Sequence, residues 1–182
     1  YAQQNVSNYI PKEDIKKYFQ INNSYVFKKL MLLLFPFRNK QWARLPMTTS
    51  ENKQVYSSPI EDINAPDLYI PLMGFITFIL IRSIVIGVEG EFDPQILSLL
   101  FSKDIAIYIL DVVILWFGFF VFNVQDYKYF DILSYTGYKF VPISVLVLIK
   151  EILGGRFIFY LSFIYLLISY GFFLIRSMRS IV

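Results

Sequence analysis

Four stretches of the sequence are long and apolar enough to cross a lipid bilayer, and this limits the possible folds more than any other feature. A helix needs about 20 mostly apolar residues to cross the hydrocarbon core. These stretches cover residues 70–88, 105–124, 132–149 and 157–175. They are apolar on every side, whereas strands of a membrane barrel alternate in polarity. We therefore predict an all-α polytopic membrane bundle with four transmembrane helices in a domain of residues 69–182.

Composition limits the functions that such a chain can have. Hydrophobic residues make up 56% and charged residues 17% of the sequence, which is not the composition of a disordered chain or a coiled coil. Histidine and cysteine are absent, so the usual general base, thiol nucleophile and zinc ligands are missing. The net charge is only +3, without the basic cluster typical of nucleic-acid binding. We expect a protein that is not an enzyme, with no catalytic residue, cofactor, metal site or nucleic-acid partner.

The charge of the flanking segments predicts how the helices are oriented. Short links join the spans, so sequential spans should be antiparallel neighbours. Residues 1–68 hold nine Lys and Arg residues, while the first link holds Glu89, Glu91 and Asp93 against Lys103. Because cytosolic flanks carry excess Lys and Arg, both termini should be cytosolic, although Lys150 and Arg156 in the third link argue weakly against this. Asp93-Pro94 resembles a helix start and predicts a short interfacial helix over 94–101.

The amino-terminal region, residues 1–68, is too polar to span and is predicted to be cytosolic. It contains two helical patterns, KEDIKKYF and SYVFKKLMLLLF. In the second pattern, Lys28 and Lys29 adjoin the apolar run 30–35, and Arg38 and Lys40 follow it. This predicts an amphipathic helix that lies on an anionic leaflet or, alternatively, packs on the spans or a partner. Trp42 fits an interfacial anchor, and residues 46–64 have the composition of an exposed linker.

Two ionisable residues inside the spans lie at matching depths. Arg82 is six residues from the end of the first span, and Asp111 is six residues after the start of the second. At a rise of ~1.5 Å per residue, both would lie ~9 Å from the same membrane face. We predict that they form an ion pair with a structural role, the alternative being that Arg82 extends to the headgroups.

Two other positions have both a structural and a functional interpretation. Pro142 should kink the third span and free the Tyr138 carbonyl. Lys139 beside it would then bind a lipid headgroup or an anion or, more simply, extend to the membrane surface from an ordinary proline kink. Asp67 is placed to cap the first span, and its segment could also form a docking edge. Small residues at Gly74, Thr77, Gly118 and Gly137 would suit either packing within the chain or contact with a membrane partner.

Several ordered motifs resemble those of one family of membrane proteins. The clearest is APDLYIP, residues 65–71, which includes Asp67, Leu68, Tyr69 and Pro71. SYTGYK, residues 134–139, adds Gly137, Tyr138 and Lys139 in the third span. The segment before the first span and the ending Ile175-Arg176-Ser177 are similar as well. Together they resemble the Yif family, the Yip-interacting factors, over nearly the whole chain.

The resemblance implies a multi-pass protein of endoplasmic reticulum and Golgi membranes with a cytosolic amino terminus. It implies a role in COPII-vesicle traffic, with Yip-family proteins and Rab GTPases as partners. The family usually has five spans and a longer polar amino terminus, so we expect either a truncated chain or a shorter member. The competing hypothesis is a small transporter or channel in which Arg82, Asp111 and Lys139 line a path.

Overall fold

The computed structural model describes residues 12–48, 54–90, 93–121 and 128–179. The regular secondary structure of these residues is helical apart from one short β-hairpin. Its helices are α1 (Lys12–Tyr18), α2 (Asn23–Leu34), α3 (Tyr69–Val88), α4 (Pro94–Val121), α5 (Tyr129–Gly137), α6 (Phe140–Leu153) and α7 (Arg156–Met178), with a 3₁₀ turn at Pro36–Arg38 and strands β1 (Pro46–Thr48) and β2 (Gln54–Tyr56).

The four predicted spans are confirmed. Helices α3, α4 and α7 are each long and apolar enough to cross a membrane, and α5 and α6 together form the third span over Tyr129–Leu153. The separate interfacial helix predicted over 94–101 is wrong, because Pro94–Val121 is one helix of 28 residues. Pro94 occupies its first position, where a missing N–H costs nothing, and Ser102 remains helical with its hydroxyl on the Ser98 carbonyl at 2.9 Å. The predicted end of this span at residues 122–124 lies outside the described residues.

The third span is interrupted between α5 and α6, at Tyr138 and Lys139. Pro142 brings no backbone N–H to this turn, as the sequence predicts. The Tyr138 carbonyl is not free, however, because it accepts a hydrogen bond from the Val141 N–H at 3.2 Å. A tighter i to i+3 bond thus replaces the lost helical bond, and the prediction of a free carbonyl beside Lys139 is wrong.

Helix α2 packs against the spans, as one of the two interpretations of its pattern expects. Tyr25, Leu32 and Leu33 are buried in one core with Tyr138 and Phe173. Lys29, which was predicted to face an anionic leaflet, is fully buried in the same core. The amino-terminal region and the membrane domain therefore share a hydrophobic core.

The predicted linker over 46–64 is ordered at both of its described ends. Strands β1 and β2 pair antiparallel, with Met47 opposite Val55. Asp62 is 4% exposed and accepts hydrogen bonds from the backbone N–H groups of Leu45 at 3.0 Å and Asn64 at 2.9 Å. The prediction of an exposed linker is wrong for residues 57–64, where Ser57, Pro59 and Asp62 are buried and the carboxylate of Asp62 holds the backbone.

The amino-terminal region and the end of α7 lie at the same end of the bundle. The Leu68 N–H, just before α3, donates to the Tyr18 carbonyl at 3.2 Å. Met178, the last residue of α7, packs on the core that includes Tyr25. This arrangement is the one an even number of spans requires.

Candidate functional site

The two sequence motifs, residues 65–71 and 134–139, lie against each other and form a junction between the start of α3 and the end of α5. Gly137 faces Pro71 so closely that an added Cβ would lie 2.5 Å from the Pro71 Cβ. Real Cβ atoms do not approach to this distance, so the contact requires glycine at position 137. Tyr108 on α4 also lies at this junction, and its hydroxyl donates a hydrogen bond to the Leu133 carbonyl at 2.7 Å.

Asp67 is the centre of this motif junction and is fully buried. Its Oδ1 accepts a hydrogen bond from the Ile70 N–H at 2.7 Å, which confirms the predicted cap of the first span. Leu68 lies between Asp67 and the first residue of the helix. The Oδ2 of Asp67 accepts the Tyr138 hydroxyl at 2.6 Å and the Tyr25 hydroxyl at 2.9 Å. The Asp67 N–H donates back to the Tyr138 oxygen at 2.9 Å. One carboxylate thus joins α2, α3 and the third span.

Lys29 supplies the compensating positive charge. Its Nζ donates to the carbonyls of Ile63 at 2.7 Å and Ala65 at 2.9 Å. The rings of Tyr25, Tyr138 and Phe173 have their centroids 5.8, 5.2 and 5.9 Å from the same nitrogen. Burial lowers the pKa of Lys29 from 10.5 to about 8, although the negative charge of Asp67 opposes this shift. Burial and Asp67 together raise the pKa of Tyr25.

A second polar cluster attaches the amino-terminal region to the start of α5. Asp131 accepts the Tyr18 hydroxyl at 2.6 Å and an Arg44 Nη1 hydrogen bond at 3.0 Å. The other terminal nitrogen of Arg44 donates to the Tyr135 hydroxyl at 2.8 Å. Sequence reasoning missed these contacts because the partners lie 113, 87 and 91 residues apart. The sole local signal was a carboxylate at the edge of an apolar span.

The predicted pairing of Arg82 with Asp111 is wrong. Arg82 donates to Asp104 at 2.7 Å, and Asp111 pairs with Lys139. Helix α4 begins at Pro94, so Asp104 is also inside a helix and lies closer to Arg82. Lys139, predicted to extend to the membrane surface or bind an anion, instead faces α4 at the break in the third span. The depth of Asp111 was counted from a span start at residue 105, whereas the helix begins at Pro94, so the estimate wrongly placed Asp111 level with Arg82.

The remaining motif residues and small residues have structural surroundings of two kinds. Leu68 is buried, and Tyr69 packs on the core beneath the motif junction. A Cβ at Gly74 would be 3.5 Å from side-chain atoms of Phe140 and Val141, whereas a Cβ at Gly118 would meet no described atom within 4 Å. Gly74 therefore serves packing within the chain, and Gly118 lies on an open face.

A sequence model of the YIF1 family matches residues 1–182. The chain belongs to the YIF1 family. It is 32% identical over 185 residues to "Protein transport protein yif1" of Schizosaccharomyces pombe, which covers 100% of the chain and 63% of the relative. It is 35% identical over 178 residues to "Protein transport protein YIF1" of Saccharomyces cerevisiae, covering 95% of the chain and 55% of the relative. It is 34% identical over 176 residues to "Protein YIF1B" of Danio rerio, with 96% and 56% covered.

The chain thus spans 55–63% of the length of these curated relatives. No solved structure matches it. The family that the motifs predict is confirmed, and the two segments that suggested it most clearly, residues 65–71 and 134–139, are brought together by the fold.

The polar groups of the motif junction serve to hold elements of the protein together. The carboxylate of Asp67 and the hydroxyls of Tyr25 and Tyr138 are directed at one another or at backbone groups. No group of three or more potential metal ligands occurs among the described residues. A buried polar network with satisfied members holds one arrangement of its elements.

Proposed function

We propose that this YIF1 chain is a non-catalytic transport factor of endoplasmic reticulum and Golgi membranes that functions in COPII-dependent vesicle traffic. The observation that carries the proposal is family membership over the full chain, with two yeast relatives named as protein transport proteins. The junction supports a scaffold, because its polar groups are engaged with the protein itself.

The motif junction gives this scaffold a physical mode of action. The junction, through Asp67 and Lys29, and the second polar cluster, through Asp131, join the amino-terminal region to the spans, so both move as one body. The amino-terminal region then presents a fixed cytosolic surface near the membrane to Rab GTPases. Assembly of the vesicle coat would take place at the same surface.

A Yip-family partner would bind within the bilayer on the open face of α4. Trp116, Phe117 and Phe120 are exposed on this helix, and a Cβ added at Gly118 would meet no described atom within 4 Å. Helices associate in lipid through van der Waals packing and close backbone approach, which small residues permit. A glycine with open space beside it, on a helix that also exposes aromatic side chains, fits that mode of contact.

The alternative function, a small transporter or channel, has less support. Its three charges would have to line a path, yet Arg82 is paired with Asp104, and Asp111 with Lys139. Paired intramembrane charges serve structure without a permeating ion. A substrate flux in vesicles that contain the purified protein alone would favour this alternative.

Depletion and rescue in cells that make the protein test the transport proposal. We expect depletion to slow the exit of a secretory reporter from the endoplasmic reticulum, and the wild-type protein to restore it. Gly118→Leu should fold but recover less Yip-family partner and rescue poorly. Gly87→Leu is the matched control, because position 87 is also open but lies far from the aromatic cluster. Normal secretion after depletion, with no Yip-family protein captured, would contradict the proposal.

A further inference from the structure

Helix α2 and the turn after it expose an apolar surface on the side that faces away from the core. Phe27, Met31, Phe35 and Phe37 are 63, 45, 51 and 51% exposed. They line a groove of about 670 Å³ together with Leu32 and Ile63. A continuous apolar surface of this kind is costly in water and marks an interaction site.

Hydrogen bonds to α7 show how deep this surface lies. The Tyr165 hydroxyl donates to the Leu34 carbonyl at 3.0 Å, and the Ser169 hydroxyl is 3.0 and 2.9 Å from the carbonyls of Leu33 and Leu34. On α7, apolar exposure continues to Ile175, which is 71% exposed. Ile175 follows Ser169 by six residues and Tyr165 by ten, or ~9 and ~15 Å along the helix. The end of α2 therefore lies inside the apolar belt.

After this deep point the chain returns along the same helix. The Phe37 ring is 5.0 Å from the Phe172 ring, and the Trp42 ring is 6.0 Å from Phe172 and 6.2 Å from Phe173. These contacts run from the level of Leu34 back toward the end of α7. Residues 23–42 thus form a hairpin that enters and leaves the bundle from one side.

Basic side chains lie along the same groove. Lys28 and Arg38 line it with Asn39, both basic residues are exposed, and neither forms an ion pair with another described residue. Long basic side chains within an apolar surface extend their charges toward the headgroup level. The groove therefore combines an apolar floor with two cations on its rim.

We propose that this groove binds one anionic phospholipid of the leaflet that surrounds the amino-terminal region. An acyl chain lies against Phe27, Met31 and Phe35, and Lys28 and Arg38 bind the phosphate. The positive charge on the rim and the depth of the hairpin favour a lipid over a soluble partner, because the groove opens within the apolar belt. The proposal does not depend on the transport function.

Fluorescence quenching tests the depth. A fluorophore is attached at Met31→Cys, with Ile60→Cys as control, and each protein is placed in nanodiscs. The chain has no native cysteine, and Ile60 is 47% exposed outside the hairpin. We expect lipid brominated on the acyl chain to quench the probe at 31 at least threefold more than the probe at 60, and aqueous iodide to show the reverse order. Iodide quenching at 31, or quenching by neither agent because a second copy or another protein covers the groove, would overturn the proposal.

Lipid retention tests the headgroup. Wild-type protein is purified from membranes of phosphatidylserine and phosphatidylcholine, and retained lipid is quantified by mass spectrometry. Each basic residue near an anionic surface contributes about fivefold to binding, so Lys28→Gln with Arg38→Gln should lower phosphatidylserine enrichment at least fivefold. Lys16→Gln with Arg179→Gln, which removes two exposed charges outside the groove, should leave it unchanged. Equal loss in both double variants, or no loss in either, would refute a specific site.

Discussion

Lys29 and its neighbour Lys28 show how strongly one helical position changes the role of a residue. Lys28 is exposed and Lys29 is fully buried, since successive helical residues point about 100° apart. The buried ammonium is stabilised by two carbonyls, three aromatic rings and the nearby charge of Asp67. Replacement of the Lys29 side chain would leave two buried carbonyls without their hydrogen-bond donor, which is destabilising.

Stability should depend on pH through Lys29. Its pKa is about 8 when folded and 10.5 ordinarily, so the unfolded state binds more protons between these values. The free energy of unfolding should then rise with pH from about 8, by up to ~1.4 kcal/mol per unit. Above pH 10 the raised pKa of Tyr25 acts in the opposite direction, so the useful window is about pH 8 to 9.5.

Thermal unfolding in mild detergent measures this effect against Lys29→Met. The variant should be less stable by about 2–3 kcal/mol at pH 7, because two buried carbonyls lose their donor and the Asp67 carboxylate loses a nearby positive charge. The gap between wild type and variant should widen from pH 8 to 9.5. Lys28→Met, which changes an exposed lysine, should behave like wild type, and a gap that is constant with pH would contradict the predicted titration.

Gly137 should tolerate no side chain. Gly137→Ala would place a Cβ 2.5 Å from the Pro71 Cβ, so α3 and α5 must separate, at a cost of about 1–3 kcal/mol. Gly87→Ala adds the same methyl group where no described atom lies within 4 Å, and it should be neutral or slightly stabilising. Melting temperatures of the two variants decide the matter, and equal values would show that the helices do not meet as described.

Residue roles were predictable where they depend on local spacing. The cap of the first span by Asp67 follows from its position three residues before Ile70. The partners of Arg82, Asp111 and Asp131 were not predictable, because they depend on the rotation of one helix relative to another. Hydropathy gives the depth of a residue but not the direction in which it points.

At the scale of elements, α4 and the third span are joined by the pair of Asp111 and Lys139. The two side chains are 37% and 15% exposed, and lipid rather than water surrounds this part of the helix. An isolated charge at this depth is costly. The pair should therefore hold the break between α5 and α6 against α4.

A double-mutant cycle measures that coupling. Asp111→Asn and Lys139→Met should each destabilise the protein by about 2–4 kcal/mol, and the double variant by clearly less than their sum. The same cycle on Arg82 and Asp111, residues that do not pair in the structure, should be closer to additive. Additive effects for Asp111 and Lys139 would show that their contact contributes nothing.

Elements were predictable where one strong physical constraint acts. The bilayer requires long apolar helices, and three of the four spans follow from it to within four residues at each end. The helix of the second span begins at Pro94, 11 residues before the predicted start at 105. No such constraint acts on residues 12–68, where the amphipathic pattern of α2 fitted both a leaflet and a protein core. Its packing depends on Tyr165 and Ser169, more than 130 residues away.

At the scale of the whole molecule, long-range contacts join the amino-terminal region to the bundle. Tyr18 and Arg44 bind Asp131 on the third span, Tyr25 binds Asp67 at the start of the first span, and α2 carbonyls accept from α7. The amino-terminal region therefore enters the bundle from the end at which α7 finishes, and its contacts hold it against three of the spans.

The orientation of this body is the last prediction. The amino-terminal flank is basic and the link between α3 and α4 is acidic, so the amino-terminal side should be cytosolic. The absence of native cysteine permits labelling of single cysteines at Ser7→Cys, Ser180→Cys and Glu91→Cys in sealed microsomes with the cytosolic face outward. An impermeant maleimide should label positions 7 and 180 before detergent is added, and position 91 only afterwards. Labelling of 91 together with 7 in intact vesicles would contradict the arrangement of spans, and labelling of 91 alone would invert the molecule, so that the phospholipid groove would face the lumenal leaflet.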